Sequence, residues 1–335
     1  MLSRPNSAIF SRFEEIMPSA YLVYNPAAGR VSIRHFIGRA RAILEQAGWE
    51  IALREASSAH SLTQLASEAA QSGADAFFVA GGDGSINLAV AGLVGSRTAL
   101  GVLPAGTTNV LAQDLGLPKP SLAHLDAVEA AARLLARAPT YRADVGVCNR
   151  RPFLMWAGVG LDAMVVNDVE PRARWEKPFT LPKYILSGIK NTASWSGLQL
   201  QVEADGRQIE GVFVLAVATN IRRYAGGVAE ISPHAFMDDG QMDLWLFRAE
   251  NLADIAQRLL EVLTRRHMDS ESIERVAFRE AALYGEHALM MHTDGEPNGE
   301  AERITISVRP RAVRLLVPPG GERLFRHDPE SPFAP

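Results

Sequence analysis

The chain has 335 residues, 47% hydrophobic and 21% charged, the composition of a packed globular protein rather than a disordered one. Its net charge of -4 argues against a nucleic-acid-binding surface, which needs a sustained excess of Lys and Arg. The single cysteine, Cys148, excludes an intrachain disulfide and a cysteine-rich metal site, and a reducing cytoplasm is the expected location. No stretch approaches the roughly 18 apolar residues of a membrane span, and the first residues lack a signal-peptide core.

Residues 20–24 form a short apolar run ending in Asn25-Pro26, which predicts a buried strand. Ile33, Phe36, Ile37, Ala40, Ile43, Leu44 and Ala47 then recur at helical spacing and stop at Gly48. Residues 49–53 predict a second strand, and 62–71 a second helix ended by Gly73. Further strands are expected at 76–80 and 100–103, each followed by glycine and helix-compatible sequence. Such alternation implies right-handed crossovers and a mostly parallel sheet, with ligands at the carboxyl ends of the strands.

After Tyr141 the pattern changes. Runs at 145–147, 153–157, 198–202, 211–219, 241–248, 272–278, 289–293 and 304–308 predict short strands, and only 181–193 and 252–265 look helical. An antiparallel β domain therefore follows a boundary near 140–145. The organisation expected is a nucleotide-binding α/β domain at 19–142, to which 309–325 returns, and a β-rich domain at 143–308. Residues 1–18 and 326–335 are expected to be flexible termini.

The strongest chemical signal is Gly81-Gly82-Asp83-Gly84-Ser85-Ile86-Asn87, directly after the strand at 76–80. Paired glycines let a backbone approach phosphate oxygens, and the helix N-terminus that follows offers N–H groups to an anion. An ordinary strand-to-helix turn would look similar. A second turn, Pro104-Ala105-Gly106-Thr107-Thr108-Asn109, ends the next strand, and Asn25-Pro26 ends the first. A helix cap explains one such polar residue, whereas three loops on one sheet edge make a cleft.

These stretches also carry a family resemblance. YNPAAG at 24–29, GGDGSIN at 81–87 and LPAGTTNVLAQDLGLP at 103–118 resemble the N-terminal signatures of the diacylglycerol-kinase catalytic family. AGVGLDA at 157–163, SPHAFMDDGQMDLWLF at 232–247 and DGEP at 294–297 resemble its C-terminal half. The resemblance implies a Rossmann-like parallel α/β domain followed by an antiparallel β-sandwich. It also implies an ATP- and Mg²⁺-dependent kinase that phosphorylates the hydroxyl of a lipid such as diacylglycerol or a sphingoid or ceramide-like lipid. Such an enzyme would be cytoplasmic and transiently peripheral to the inner face of the membrane, with its oligomeric state open and a dimer among the options.

Carried over by position, the resemblance implies that Asn25, the loop from Gly81 to Asn87, Gly106 and Thr107 contact ATP, with Ser57 standing where the family offers a threonine. Asp83 is implied in metal-linked electrostatics at the phosphates, although aspartate beside glycine also holds turns through its own backbone. Asp144 matches an aspartate of an acidic network and could equally be a structural acid. Phe236, Asp239 and Gln241 match a structural Mg²⁺ shell; Asp238-Asp239-Gly240 alone reads as a β-turn. On residue type alone Asp294-Gly295 reads as a hairpin turn. The resemblance puts the catalytic acid here, assigned jointly to Asp294 and Glu296, since transfer to an alcohol needs a carboxylate that accepts its proton.

Two departures stand out: Ser85 replaces a commoner threonine, and Val110 stands where many relatives have aspartate. Residues 168–184 interleave Arg172, Arg174, Lys177 and Lys183 with Trp175, Phe179 and Tyr184, a pattern suited to anionic lipid headgroups or to a merely solvated loop. The eight histidines show no metal-ligand spacing and are assigned no chemistry. Two other functions share parts of the pattern. An NAD-kinase-like or phosphofructokinase-like kinase would share GGDG, and a silent nucleotide- or lipid-binding regulator would share the loops.

Overall fold

The computed structural model describes residues 17–26, 34–119, 126–169 and 197–330. The basic and aromatic stretch at 168–184 and the helix expected at 181–193 lie almost wholly outside them.

The first half alternates strand and helix: β1 (Ser19–Tyr24), α1 (Arg34–Gln46), β2 (Glu50–Glu55), α2 (Ala59–Ser72), β3 (Ala76–Gly81), α3 (Asp83–Leu93), β4 (Ala99–Pro104), α4 (Val110–Asp114) and α5 (Ala127–Leu135). The four strands lie in the order β4-β3-β1-β2 and all pair in parallel. Every residue of β3 and β4 is buried, as a parallel strand covered by helices on both faces requires. Phe77 and Phe78 are fully buried, each burial contributing about 1.5–3 kcal/mol. Local chemistry sets the helix ends: Ser58 and Ser61 form a reciprocal capping box at the start of α2, and Gly73 closes it in the left-handed conformation at φ 75°.

The second half comprises β5 (Thr140–Cys148), β6 (Arg151–Phe153), β7 (Trp156–Gly160), α6 (Leu161–Val169), β8 (Leu198–Ala204), β9 (Arg207–Phe213), β10 (Leu215–Thr219), β11 (Arg223–Tyr224), β12 (Ala229–Glu230), β13 (Met242–Phe247), α7 (Leu252–Leu263), β14 (Ile273–Phe278), β15 (Glu280–Thr293) and β16 (Glu296–Leu316). Pairing among these strands is antiparallel. Leu244, Phe278, Leu283 and Ile304 belong to a core of this domain's own. The two halves are not separate sheets, because β16 leaves β15, pairs with β5, and ends in parallel register with β4 at Arg314 and Leu315.

Three expectations are corrected. The run at 153–157 divides between β6 and β7, because the backbone N–H groups of Leu154, Met155 and Trp156 turn to the carboxylate of Asp294. The run at 211–219 divides at Val214, whose N–H donates to the Phe247 carbonyl while its own carbonyl accepts from Leu161. Residues 326–330 are tied down: Arg326 and His327 donate their N–H groups to Asp238, and Glu330 bridges to Thr140 and pairs with Arg142 and Arg314. Composition alone cannot show that a polar tail has a buried acid, Asp238, waiting for it.

Candidate active site

Because β1, β3 and β4 are parallel neighbours, the chain leaves all three at one edge, at Asn25, at Gly81-Gly82 and at 105–109. The Gly81 carbonyl accepts from the N–H groups of Ala105 (3.0 Å) and Gly106 (3.2 Å), fastening the second loop to the first. A Cβ on Gly82 would lie 3.2 Å from Gly106 Cα, and one on Gly106 would collide with the Gly82 backbone, so only glycine permits this approach. Asn109 holds the second loop by accepting from the Gly106 N–H (2.9 Å) and donating to the Gly106 carbonyl (2.7 Å).

Of the seven residues in GGDGSIN only Gly82 lies between strand and helix, since Gly81 ends β3 and α3 begins at Asp83 with Gly82 as its N-cap. Ile86 is fully buried, so its side chain belongs to the core, while Gly84 and Ser85 stay partly exposed in the first turn. The geometry is a glycine cradle opening onto a helix N-terminus, suited to an anion. Thr107 is exposed beside it. Ser57 is exposed after β2, next to the capping residue Ser58.

Asp83 is buried, and its bonds run sideways to the second loop. Its Oδ2 accepts from Thr108 Oγ1 (2.9 Å) and its Oδ1 from the N–H groups of Val110 (2.8 Å) and Leu111 (3.4 Å). It therefore caps α4, whose own preceding residue Asn109 supplies no side-chain cap.

From the β domain the hairpin between β15 and β16 reaches this edge. Asp294 and Gly295 are its turn, at φ 51° and 78°, so the hairpin turn expected from residue type is present. The Asp294 carboxylate is buried and accepts from the N–H groups of Leu154, Met155 and Trp156, each at 2.9 Å. In the amide orientation that pairs donors with acceptors, Asn87 of α3 donates to Asp294 Oδ2 (3.3 Å) and to the Pro152 carbonyl (3.1 Å). Burial raises the Asp294 carboxyl to about 6; the three backbone donors act against this, and the charge of nearby Asp83 adds to it. Glu296, two residues on, is only partly buried. Its Oε1 would lie 2.8 Å from a Cβ on Gly84, over the first turn of α3.

Asp162, within the AGVGLDA stretch, and His292 and Tyr224, which no motif marks, complete the wall. His292 is buried, and its Nε2 lies 2.7 Å from Asp162 Oδ2, which also accepts from the Tyr224 hydroxyl at 2.5 Å. A Cβ on Gly158 would collide with both Asp162 and His292, so the glycine of AGVGLDA makes room for the pair. Trp156 meets Tyr224 edge-on with ring centroids 5.6 Å apart. For His292 the alternation of a strand was the one available signal, because it shares a parity with Asp294.

The residues expected to surround a structural metal lie elsewhere, at the junction of the two halves. Asp144 is fully buried and accepts from the N–H groups of Arg311 and Gly240, both at 2.7 Å. Burial raises it to about 6, with the charges of Asp239 and Asp238 adding to the rise. Asp239 Oδ1 accepts from the Gln241 N–H (3.2 Å) and its Oδ2 lies 3.4 Å from the Arg326 guanidinium, which stacks on Phe236 at 4.5 Å. The Arg326 guanidinium thus stands beside the one carboxylate of the shell that the resemblance implies. Among the described residues no cluster of three His, Cys, Asp or Glu side chains has metal-binding geometry.

Comparison with known proteins assigns both halves. The pattern of the diacylglycerol kinase catalytic domain matches residues 19–148, and that of the YegS C-terminal NAD kinase beta sandwich-like domain matches 156–317. The chain is 29% identical over 285 residues to a diacylglycerol kinase of Bacillus subtilis, covering 84% of this chain and 91% of the relative. It is 28% identical over 310 residues to a protein of Chromohalobacter salexigens named "probable lipid kinase YegS-like", covering 91% and 94%. A crystal structure of a diacylglycerol kinase from Bacillus anthracis superposes with a TM-score of 0.68 at 20% identity, covering 90% of this chain and 97% of that one; the likeness shows the fold.

Proposed function

The chain belongs to the diacylglycerol kinase catalytic family and is a lipid kinase, and from that premise we propose that it transfers the γ-phosphoryl group of Mg²⁺-ATP to the hydroxyl of a lipid. The acceptor class is diacylglycerol or a sphingoid or ceramide-like lipid. The observation that carries this proposal is the meeting of Glu296 with the glycine cradle: a carboxylate from the β domain stands over the first turn of α3. A phosphoryl group seated on the cradle and a hydroxyl bonded to Glu296 would then lie side by side, as in-line transfer requires.

In this mechanism the backbone of Gly81, Gly82 and Gly106 and the start of α3 bind the phosphates. Asn25, Thr107 and Ser57 line the same edge for the rest of the nucleotide. Glu296 orients the acceptor hydroxyl and takes its proton as the oxygen attacks. Asp294 is spent on three buried N–H groups and serves to place the turn that carries Glu296, which separates two roles that the resemblance left joined. Asp83 and Asp294 are close enough for the charge of one to disfavour that of the other, a setting that suits a cation. Mg²⁺ held there with the nucleotide would offset phosphate charge.

Among the described residues no helix is long and apolar enough to cross a membrane. The enzyme meets its substrate at the membrane surface from the cytoplasm. The test is incubation of the purified protein with labelled ATP, Mg²⁺ and a total lipid extract. A labelled lipid phosphate is expected, and its mass identifies the acceptor. Label found in NADP instead, or in no product at all, would overturn the proposal.

A further inference from the structure

The two sides of the cleft are joined by a circuit of hydrogen bonds that runs from Asp83 to Asp294 through Asp114, Tyr224 and His292, three residues with no part in the chemistry just described. On the nucleotide side Asp83 caps the start of α4. At the other end of that five-residue helix stands Asp114, only 2% exposed. Its Oδ2 accepts from the N–H groups of Arg222 (2.8 Å) and Arg223 (3.4 Å), and the Arg323 guanidinium bonds its carbonyl (2.9 Å). Arg223 begins β11, so α4 runs from the glycine edge to the β domain.

The next residue, Tyr224, donates to Asp162, which is also held by His292. His292 precedes by two residues Asp294, whose carboxylate meets Asn87 of α3. The path therefore returns to the helix from which it started. A helix of this length has no stability of its own, and a buried carboxylate is a costly way to fill space. What Asp114 supplies is direction, since its Oδ2 faces two consecutive backbone N–H groups.

We propose that Asp114, Tyr224 and His292 are positioning residues for phosphoryl transfer, which together fix the distance between the phosphate cradle and the hairpin that carries Glu296. The proposal rests on the glycine edge being the phosphate site. Rigid spacing is what it supplies: a displacement of about 1 Å between reacting groups costs on the order of 100-fold in rate. Nucleotide seated on α3 and the second loop then sets the acceptor wall through α4 rather than through the solvent-filled cleft.

The experiment is a double-mutant cycle on the full chain. Tyr224→Phe removes a single oxygen and keeps the ring against Trp156. It is expected to leave the melting temperature within about 2 °C, to leave the affinity for a non-hydrolysable ATP analogue within about twofold, and to lower kcat about tenfold. Asp114→Asn is expected to lower kcat similarly. The double variant is expected to be no slower than the slower single variant within about twofold, because both act on one path.

Multiplied losses in the double variant would overturn the proposal. So would a fall in melting temperature with kcat per folded molecule unchanged, the mark of a merely structural role. Should Asp114→Asn fail to fold, the cycle is run with His292→Gln in its place and judged by the same criterion. Failure of the wild-type chain to bind the analogue is a separate result, which would overturn the phosphate site itself.

Discussion

The nucleotide edge and the acceptor wall are built from different materials. The edge is backbone: Gly81, Gly82 and Gly106 in mutual contact, and the first turn of α3. The wall is side chains delivered by separate elements, namely Asp162 from α6, Tyr224 from β11, His292 from β15, and Asp294 and Glu296 from the hairpin that follows. A backbone site fails as a unit when any Cβ intrudes. A side-chain wall can lose members one at a time, so its chemical and structural parts can be separated by substitution.

The sharpest separation is between Asp294 and Glu296. Glu296→Gln is expected to lower kcat about 10²–10⁴-fold, the contribution of a positioned general base, with an unchanged melting temperature. Turnover within about tenfold of wild type would remove Glu296 as the base. Asp294→Ala should act in the opposite sense. It leaves three buried N–H groups unsatisfied at about 1–3 kcal/mol each, so chemical denaturation is expected to show a loss of about 3 kcal/mol or more. A fully stable Asp294→Ala would mean that the clamp on Leu154, Met155 and Trp156 does not hold the turn.

For the edge, Gly106→Ala is the corresponding test. The added methyl meets the Gly82 backbone, which cannot move aside as the end of a side chain would. Separating the loops is expected to cost about 1–3 kcal/mol, seen as a roughly 10–100-fold weaker affinity for an ATP analogue in calorimetric titration. Unchanged affinity would show that the two loops need not touch to form the site.

The same division explains what could be read from residues alone. Strand, glycine turn and helix start are contiguous in sequence, so the edge was legible at Gly81-Gly82 and at 104–109, and the parallel order followed from alternation. Asp83 was legible as a functional position but not in its bonds, because nothing local says that its carboxylate caps a helix 27 residues away. The wall was legible at Asp294-Gly295, which a turn signal marked, and at Asp162 only as one residue of the AGVGLDA stretch. Asp162 and His292 are 130 residues apart in the chain, and each alone looks like an ordinary core or surface residue. The splitting of the runs at 153–157 and 211–219 was hidden for a related reason. Apolar composition continues through Leu154 and Val214, while their N–H groups leave the ladder for distant partners.

The smallest expected effect tests whether the two halves share a pH response. Asp294 lies in the turn between β15 and β16 and Asp144 in β5, and burial raises both carboxyls from 3.8 to about 6. A raised folded-state value means that the native chain binds more protons than the unfolded chain between about pH 4 and pH 6. Stability contributed by these two groups is therefore fully present below about pH 4 and lost as pH rises through about 6. Other carboxylates contribute with either sign, Glu330 for instance being lowered by Arg142 and Arg314 against the opposing effect of burial, so the useful quantity is the difference between wild type and variant. Urea unfolding of wild type and Asp294→Asn at several values from pH 4.5 to 7 is expected to give a shallower fall in the variant, by up to about 1.4 kcal/mol per pH unit for one proton. The portion due to Asp144 should remain, because its partners Arg311 and Gly240 are not those of Asp294. Parallel curves would mean that Asp294 titrates alike in both states, and the charge of Asp83 would then have to be met by a cation rather than by a proton.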